Sequence, residues 1–157
     1  MPKGKGTKIG LRRWGIKGRC REGKDQMARR SPAHRRALIV EDEIMIAMGL
    51  EADMHLLGFD ICDLAADGQE AFLLARDDQP DVVLVDVNLE GGREGIEVAT
   101  RLREECDVPI VFVTGCTDRD TVERIHKQVP GAPVLPKPVW GNRLDDAVAA
   151  VMTFRMW

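Results

Sequence analysis

Apolar residues in this chain alternate between two rhythms. Short unbroken runs, ALIV at 37–40, DVVLV at 81–85, PIVFV at 109–113 and APVL at 132–135, suit strands buried on both faces. FDICDLAA at 59–66 suits another strand. Between the runs, apolar residues recur at helical spacing. Ile46, Leu50, Met54 and Leu57 predict a helix that Gly58 ends. Asp67, with Glu70 three residues on, reads as a capping box opening a helix through Ala75. Pro80 breaks the chain before the third strand. Ile96, Ala99 and Leu102 share one face of a helix over 94–105. Thr117 with Asp120 reads as the start of a helix to about Gln128. Asn142 with Asp145 opens a last helix bearing Leu144, Val148, Val151 and Met152.

A strand followed by a helix, five times over, predicts an α/β fold with a parallel sheet covered on both faces. Right-handed crossovers leave few topologies. Such sheets bind ligands beyond the carboxyl ends of their strands. Glu41, Asp42 and Glu43 follow the first strand, Asp86 and Asn88 the third, Thr114 and Gly115 the fourth, and Lys137 the fifth, between two prolines. If the first, third, fourth and fifth strands lie side by side, these groups meet in one cleft.

Charge divides the chain. Residues 1–36 hold 13 Lys/Arg and two acids, and the remaining residues hold 10 basic and 24 acidic side chains. The arm is rich in glycine and its apolar residues have no period, so it reads as disordered. Contact with nucleic acid through this arm, a solvated tail, and a natural start at Met27 all stay open, the bland readings being favoured. The basic start has no apolar stretch after it, which argues against a secretory signal, and no apolar run spans a bilayer. Four cysteines without a CxxC pair fit a reducing cytoplasm. The three histidines lack metal-ligand spacing, His55 and His126 reading as helix-surface residues. Met45, Met48 and Met54 read as core or groove fillers.

A carboxylate at the end of a buried strand is costly unless something pairs with it. Glu41, Asp42 and Asp86 would repel one another if left bare. Magnesium, which takes oxygen ligands and keeps several waters, removes that conflict. Lys137 adds a positive charge. A carboxylate so held is suited to attack phosphorus and form an aspartyl phosphate. The Thr114 hydroxyl can bind the phosphoryl oxygens. A phosphatase of the aspartyl type usually carries a second aspartate two residues on, and Asn88 in that place argues against turnover.

LIVEDE at 38–43, Asp86 in LVDVNLEGG, Thr114 in FVTG and Lys137 in LPKP together resemble the receiver domain of bacterial two-component response regulators. The resemblance implies a flavodoxin-like (βα)5 doubly wound five-stranded parallel sheet of strand order 2-1-3-4-5, within a domain over 37–157. It implies that Asp86 is the phosphoacceptor, Asp42 a direct magnesium ligand, Glu41 a ligand through water and Asn88 a ligand through its backbone carbonyl. Thr114 matches the switch hydroxyl, Lys137 the phosphate-binding lysine, and the Lys137–Pro138 bond is expected to be cis. Three residues before the lysine, receivers often carry a rotating Tyr or Phe; here Val134 stands there and the chain has no tyrosine. FVTG is similar to a receiver subgroup common in alphaproteobacteria. Cys116 is expected near the site mouth, as a small, partly buried residue.

The implied function is a stand-alone cytoplasmic response regulator. A sensor histidine kinase or histidine phosphotransfer protein supplies the phosphoryl group. With the chain ending after its fifth helix, at Trp157, output is expected to go through partners. The face of the fourth helix, fifth strand and fifth helix, with Trp140, Phe154, Met156 and Trp157 near it, is expected to allow a homodimer. The alternative is an interaction module that keeps the fold and signals without phosphate.

Overall fold

The computed structural model describes residues 34–89 and 94–153. The basic arm before residue 34, the two glycines after Asp86 and the terminal Phe154, Met156 and Trp157 lie outside the described residues. In chain order the elements are β1 (Arg36–Val40), α1 (Ile44–Leu56), β2 (Ile61–Ala65), α2 (Gly68–Asp78) and β3 (Val82–Val85). They continue with α3 (Glu94–Cys106), β4 (Ile110–Thr114), α4 (Arg119–Gln128), β5 (Val134–Pro136) and α5 (Arg143–Thr153). All neighbouring strands are parallel, in the order β2-β1-β3-β4-β5. This is the doubly wound arrangement and the order that the resemblance implied.

The strands are apolar throughout because both faces of the sheet are covered. Successive strand side chains point to opposite faces. Leu38, Val40, Val83 and Val85 pack with Ile96, Leu102 and Ile125 under α2, α3 and α4. Ala37, Ile39, Val82 and Leu84 pack with Leu50, Met54 and Val148 under α1 and α5. Each buried aliphatic side chain is worth about 1.5–3 kcal/mol, so a polar residue inside these runs would be selected against unless it were paired. Among the described residues no helix is long and apolar enough to cross a membrane.

Several boundaries differ from the sequence pattern, each for a local reason. β1 starts one residue early because the Arg36 backbone exchanges hydrogen bonds with Asp81, donating to Oδ2 at 2.9 Å and accepting from the Asp81 N–H at 2.8 Å. β2 is shorter than 59–66; Phe59 is buried before it begins and carries the Arg35 guanidinium 4.2 Å above its ring. α2 runs on to Asp78 and ends at Gln79, whose φ of 48° is left-handed. Asp67 caps it by accepting from the Glu70 N–H, while Glu70 reaches back to the Ala66 N–H instead of the cap residue's own. β5 starts two residues later than expected and ends one later, at Val134–Pro136. The cap of α4 is Asp118, not Thr117: its carboxylate accepts from both the N–H and the hydroxyl of Thr121.

The methionine expectation holds only in part. Met54 is fully buried, but Met45 and Met48 are 77% and 53% exposed. Ala47, Leu50 and Met54 form the stripe facing the sheet, and residues 45 and 48 lie off it. His55 and His126 are exposed on their helices, as expected.

Candidate functional site

Strand order brings the strand-end residues together. Val40 at the end of β1 pairs with Val85 at the end of β3, so Glu41 and Asp86 leave the sheet side by side. The Asp86 N–H donates to the Val40 carbonyl at 3.0 Å. On the other flank the Lys137 N–H donates to the Thr114 carbonyl at 3.0 Å, which extends the β4–β5 pairing past the strand end. The Lys137–Pro138 peptide bond is cis. The Lys137 ammonium donates to Glu41 Oε2 at 2.5 Å and to Asp86 Oδ2 at 2.7 Å. Asp86 Oδ1 accepts from the Asn88 N–H at 3.2 Å, and Glu41 Oε1 from the Glu43 N–H at 3.1 Å.

Glu41 and Asp86 are only 3% and 6% exposed, and both accept from the Lys137 ammonium. Burial pushes the Glu41 carboxyl above its usual range, against the hydrogen bonds from Lys137 and the Glu43 N–H. Burial alone favours the neutral Lys137 amine, but the hydrogen bonds and charges of Asp86 and Glu41 outweigh it and hold the lysine above its ordinary value. Lys137 is therefore a fixed cation.

One carboxylate oxygen each from Glu41, Asp42 and Asp86 lies within 4.8 Å of the others. All are hard oxygen donors, and Asp42 is exposed where the other two are buried. This combination fits a hard divalent cation such as magnesium, which keeps water on its open side.

The structure thus unites Glu41, Asp42, Asp86 and Lys137, with Asn88 bound to Asp86 through its backbone. Thr114 is fully buried at the end of β4, and its hydroxyl accepts from the Cys116 N–H at 3.1 Å. Val134 is half-buried against the α2–α3–α4 side of the core. Gly95 is a residue that the sequence reading missed. A Cβ there would stand 1.8 Å from the Asp86 carbonyl oxygen, so the first turn of α3 can approach the phosphoacceptor candidate only as glycine. Glycine inside a helix costs about 1 kcal/mol, and that cost was the available signal. An open groove of about 440 Å³, lined by Ile46, Leu50, Val113, Lys137, Pro138 and Val139, was also missed.

A doubly wound five-stranded sheet whose carboxyl edge gathers three carboxylates, two of them bound to one lysine, defines a receiver-type α/β domain. Residues 37–149 match the response regulator receiver domain, and the chain belongs to that family. It is 42% identical over 122 residues to the transcriptional regulatory protein PdtaR of Mycobacterium tuberculosis, a match covering 77% of this chain and 58% of PdtaR. It is 35% identical over 83 residues to the phyllosphere-induced regulator PhyR of Methylorubrum extorquens, covering 52% of this chain and 31% of PhyR. The chain thus spans little more than half the length of the first of these relatives. The signal receiver domain of a modulated diguanylate cyclase from Desulfovibrio desulfuricans superposes with a TM-score of 0.70 at 33% identity, covering 78% of this chain and 97% of that one.

Proposed function

We propose that this domain is a phosphorylation-controlled signalling switch whose phosphoacceptor is Asp86. The observation that carries the reading is the Lys137 ammonium bridging the buried Glu41 and Asp86, with an Asp42 oxygen within 4.8 Å. An Asp86 oxygen attacks the phosphorus of a phosphohistidine on a sensor kinase or phosphotransfer protein. The new P–O bond forms as the P–N bond breaks, and the imidazole nitrogen keeps the electron pair. Lys137 stays protonated and holds the phosphoryl oxygens by charge. The Thr114 hydroxyl turns to donate to one of them. Asp42, Asp86 and the Asn88 carbonyl, with Glu41 acting through water, would hold magnesium, which when bound would supply charge neutralisation for the transferring group.

Exposed Ile44, Met45 and Met48 on α1, near the groove that Lys137 lines, support docking of an apolar partner surface there. Trp140, 72% exposed between β5 and α5, supports a second contact through the α4–β5–α5 face, including a homodimer. We place the domain boundary at the basic arm and the protein in the cytoplasm; nucleic acid enters this reading only through the arm.

The test is intact-protein mass after acetyl phosphate and magnesium, on wild type and Asp86→Asn. One labile phosphoryl group gained by wild type alone is the expected result. No gain, and no binding of beryllofluoride, would leave a receiver-fold interaction module that acts without phosphate.

A further inference from the structure

Thr114 is not connected to an aromatic lever in this chain. Val134 occupies that part of β5, and a β-branched side chain is stiff at χ1. A different chain of contacts leaves the Thr114 hydroxyl. It accepts from the Cys116 N–H at 3.1 Å, a side chain to backbone contact two residues on. The Cys116 thiol donates to Asp118 Oδ2 at 3.0 Å and lies 3.6 Å from Thr121 Oγ1. The same Asp118 oxygen accepts from the Thr121 hydroxyl at 2.7 Å, and Oδ1 accepts from the Thr121 N–H at 3.0 Å. Asp118 is the N-cap of α4, and Thr121 is buried in its first turn. Between Thr114 and Cys116 stands Gly115, exposed and with open space around it, where the chain can swing.

We propose that Cys116 is a positioning residue that couples the Thr114 hydroxyl to the N-cap of α4. While Thr114 holds the Cys116 N–H, the thiol stays docked on Asp118 and the first turn of α4 is latched. When the hydroxyl turns to a phosphoryl oxygen, the Cys116 N–H loses its acceptor. The partly buried amide then takes a new acceptor, and the 115–118 segment, exposed on either side of Cys116, rearranges as it does so. The thiol then leaves Asp118, and the cap of α4 resets. Output through α4 follows from the helix terminus instead of from a rotating ring on β5. The proposal rests on phosphorylation of Asp86 as the trigger.

The test uses the full chain labelled with nitrogen-15, titrated with magnesium and beryllofluoride, a phosphoryl mimic. Amide shifts of Val87 and Asn88 report occupancy beside Asp86; those of Thr121, Val122 and Ile125 report α4. Wild type is expected to move both sets. Cys116→Ala keeps the first and loses about half or more of the second, while its phosphoryl gain from acetyl phosphate is unchanged. Cys116→Ser, which keeps a donor for Asp118, restores the α4 response. Thr121→Val, which removes only the hydroxyl, weakens it. Full α4 movement in both Cys116→Ala and Thr121→Val would overturn the coupling. No movement beside Asp86 in wild type would overturn the phosphorylation reading and the coupling with it.

Discussion

Two helices start within a few residues of site groups, on opposite faces of the sheet, and they start in different ways. α1 begins after the acidic run. Its N-cap, Glu43, makes no side-chain cap bond, its first turn carries no acid, and it leaves Ile44, Met45 and Met48 in solvent. α4 begins after Thr114 and Cys116. Its N-cap carboxylate holds two donors of Thr121, Asp120 adds charge in the first turn, and its outer face is polar. Apolar side chains left in water cost little individually and gain when a partner covers them. A closed cap costs nothing until something pulls it open. The difference fits the division of labour proposed above: α1 leaves apolar surface that a partner could cover, and α4 closes its cap beside the Thr114–Cys116 contact.

The comparison sharpens if the two helices are alike wherever they meet the sheet. Met54 on α1 and Ile125 on α4 are both fully buried. Met54→Ala and Ile125→Ala should each cost about 2–5 kcal/mol in denaturant unfolding. A much smaller loss for one of them would mean that its helix is not anchored as its burial implies.

Next in size is the exposed start of α1. Met45→Lys with Met48→Lys should slow phosphoryl transfer from a phosphohistidine donor by roughly tenfold, a loss of about 1.4 kcal/mol. Labelling by acetyl phosphate should not change, nor should the unfolding midpoint. Equal rates with both donors would show that this patch is not where the donor docks.

The caps separate the helices at about 1 kcal/mol. Asp118→Ala should destabilise by about 0.5–2 kcal/mol, because two Thr121 donors lose their acceptor. Glu43→Ala has no side-chain cap to lose and should stay within about 0.5 kcal/mol. Similar losses at both positions would erase the contrast.

The smallest effect concerns the thiol under α1. Burial, then the charges of Glu51 on α1 and of Asp63, push Cys62 up to about 11. A raised thiol pKa means the neutral form at pH 8, with about a thousandth as thiolate. Iodoacetamide should therefore spare Cys62 at pH 8 and attack it as pH approaches 11. Glu51→Gln removes one of the raising charges, so reaction at pH 9 should speed up. Rapid labelling at pH 8 would contradict this.

Much of the candidate site was legible in the order of residues. Glu41, Asp42, Asp86, Thr114 and Lys137 each follow or close a short apolar run, and in a parallel sheet that places them at one edge. Gly95, the groove beside Lys137 and the solvent-facing Met45 and Met48 were not legible in the same way. Gly95 matters only because α3 approaches the Asp86 carbonyl, and nothing in its neighbours along the chain encodes that approach. The α4 cap was misassigned to Thr117. Thr and Asp both suit a cap, and only the register of the turn chooses Asp118.

By itself, the order of residues determined the alternation of buried strands and amphipathic helices, and with it the set of strand-end carboxylates. That information is local: burial on both faces demands apolar runs, and helical spacing demands a stripe. Tertiary structure alone decided which strands are neighbours, so that Lys137 meets Glu41 from 96 residues away. It also decided which methionines are left in water and that the Thr114 hydroxyl rests on Cys116. The reason is physical: those contacts depend on crossovers and close approaches between distant segments, and no window of sequence contains both partners.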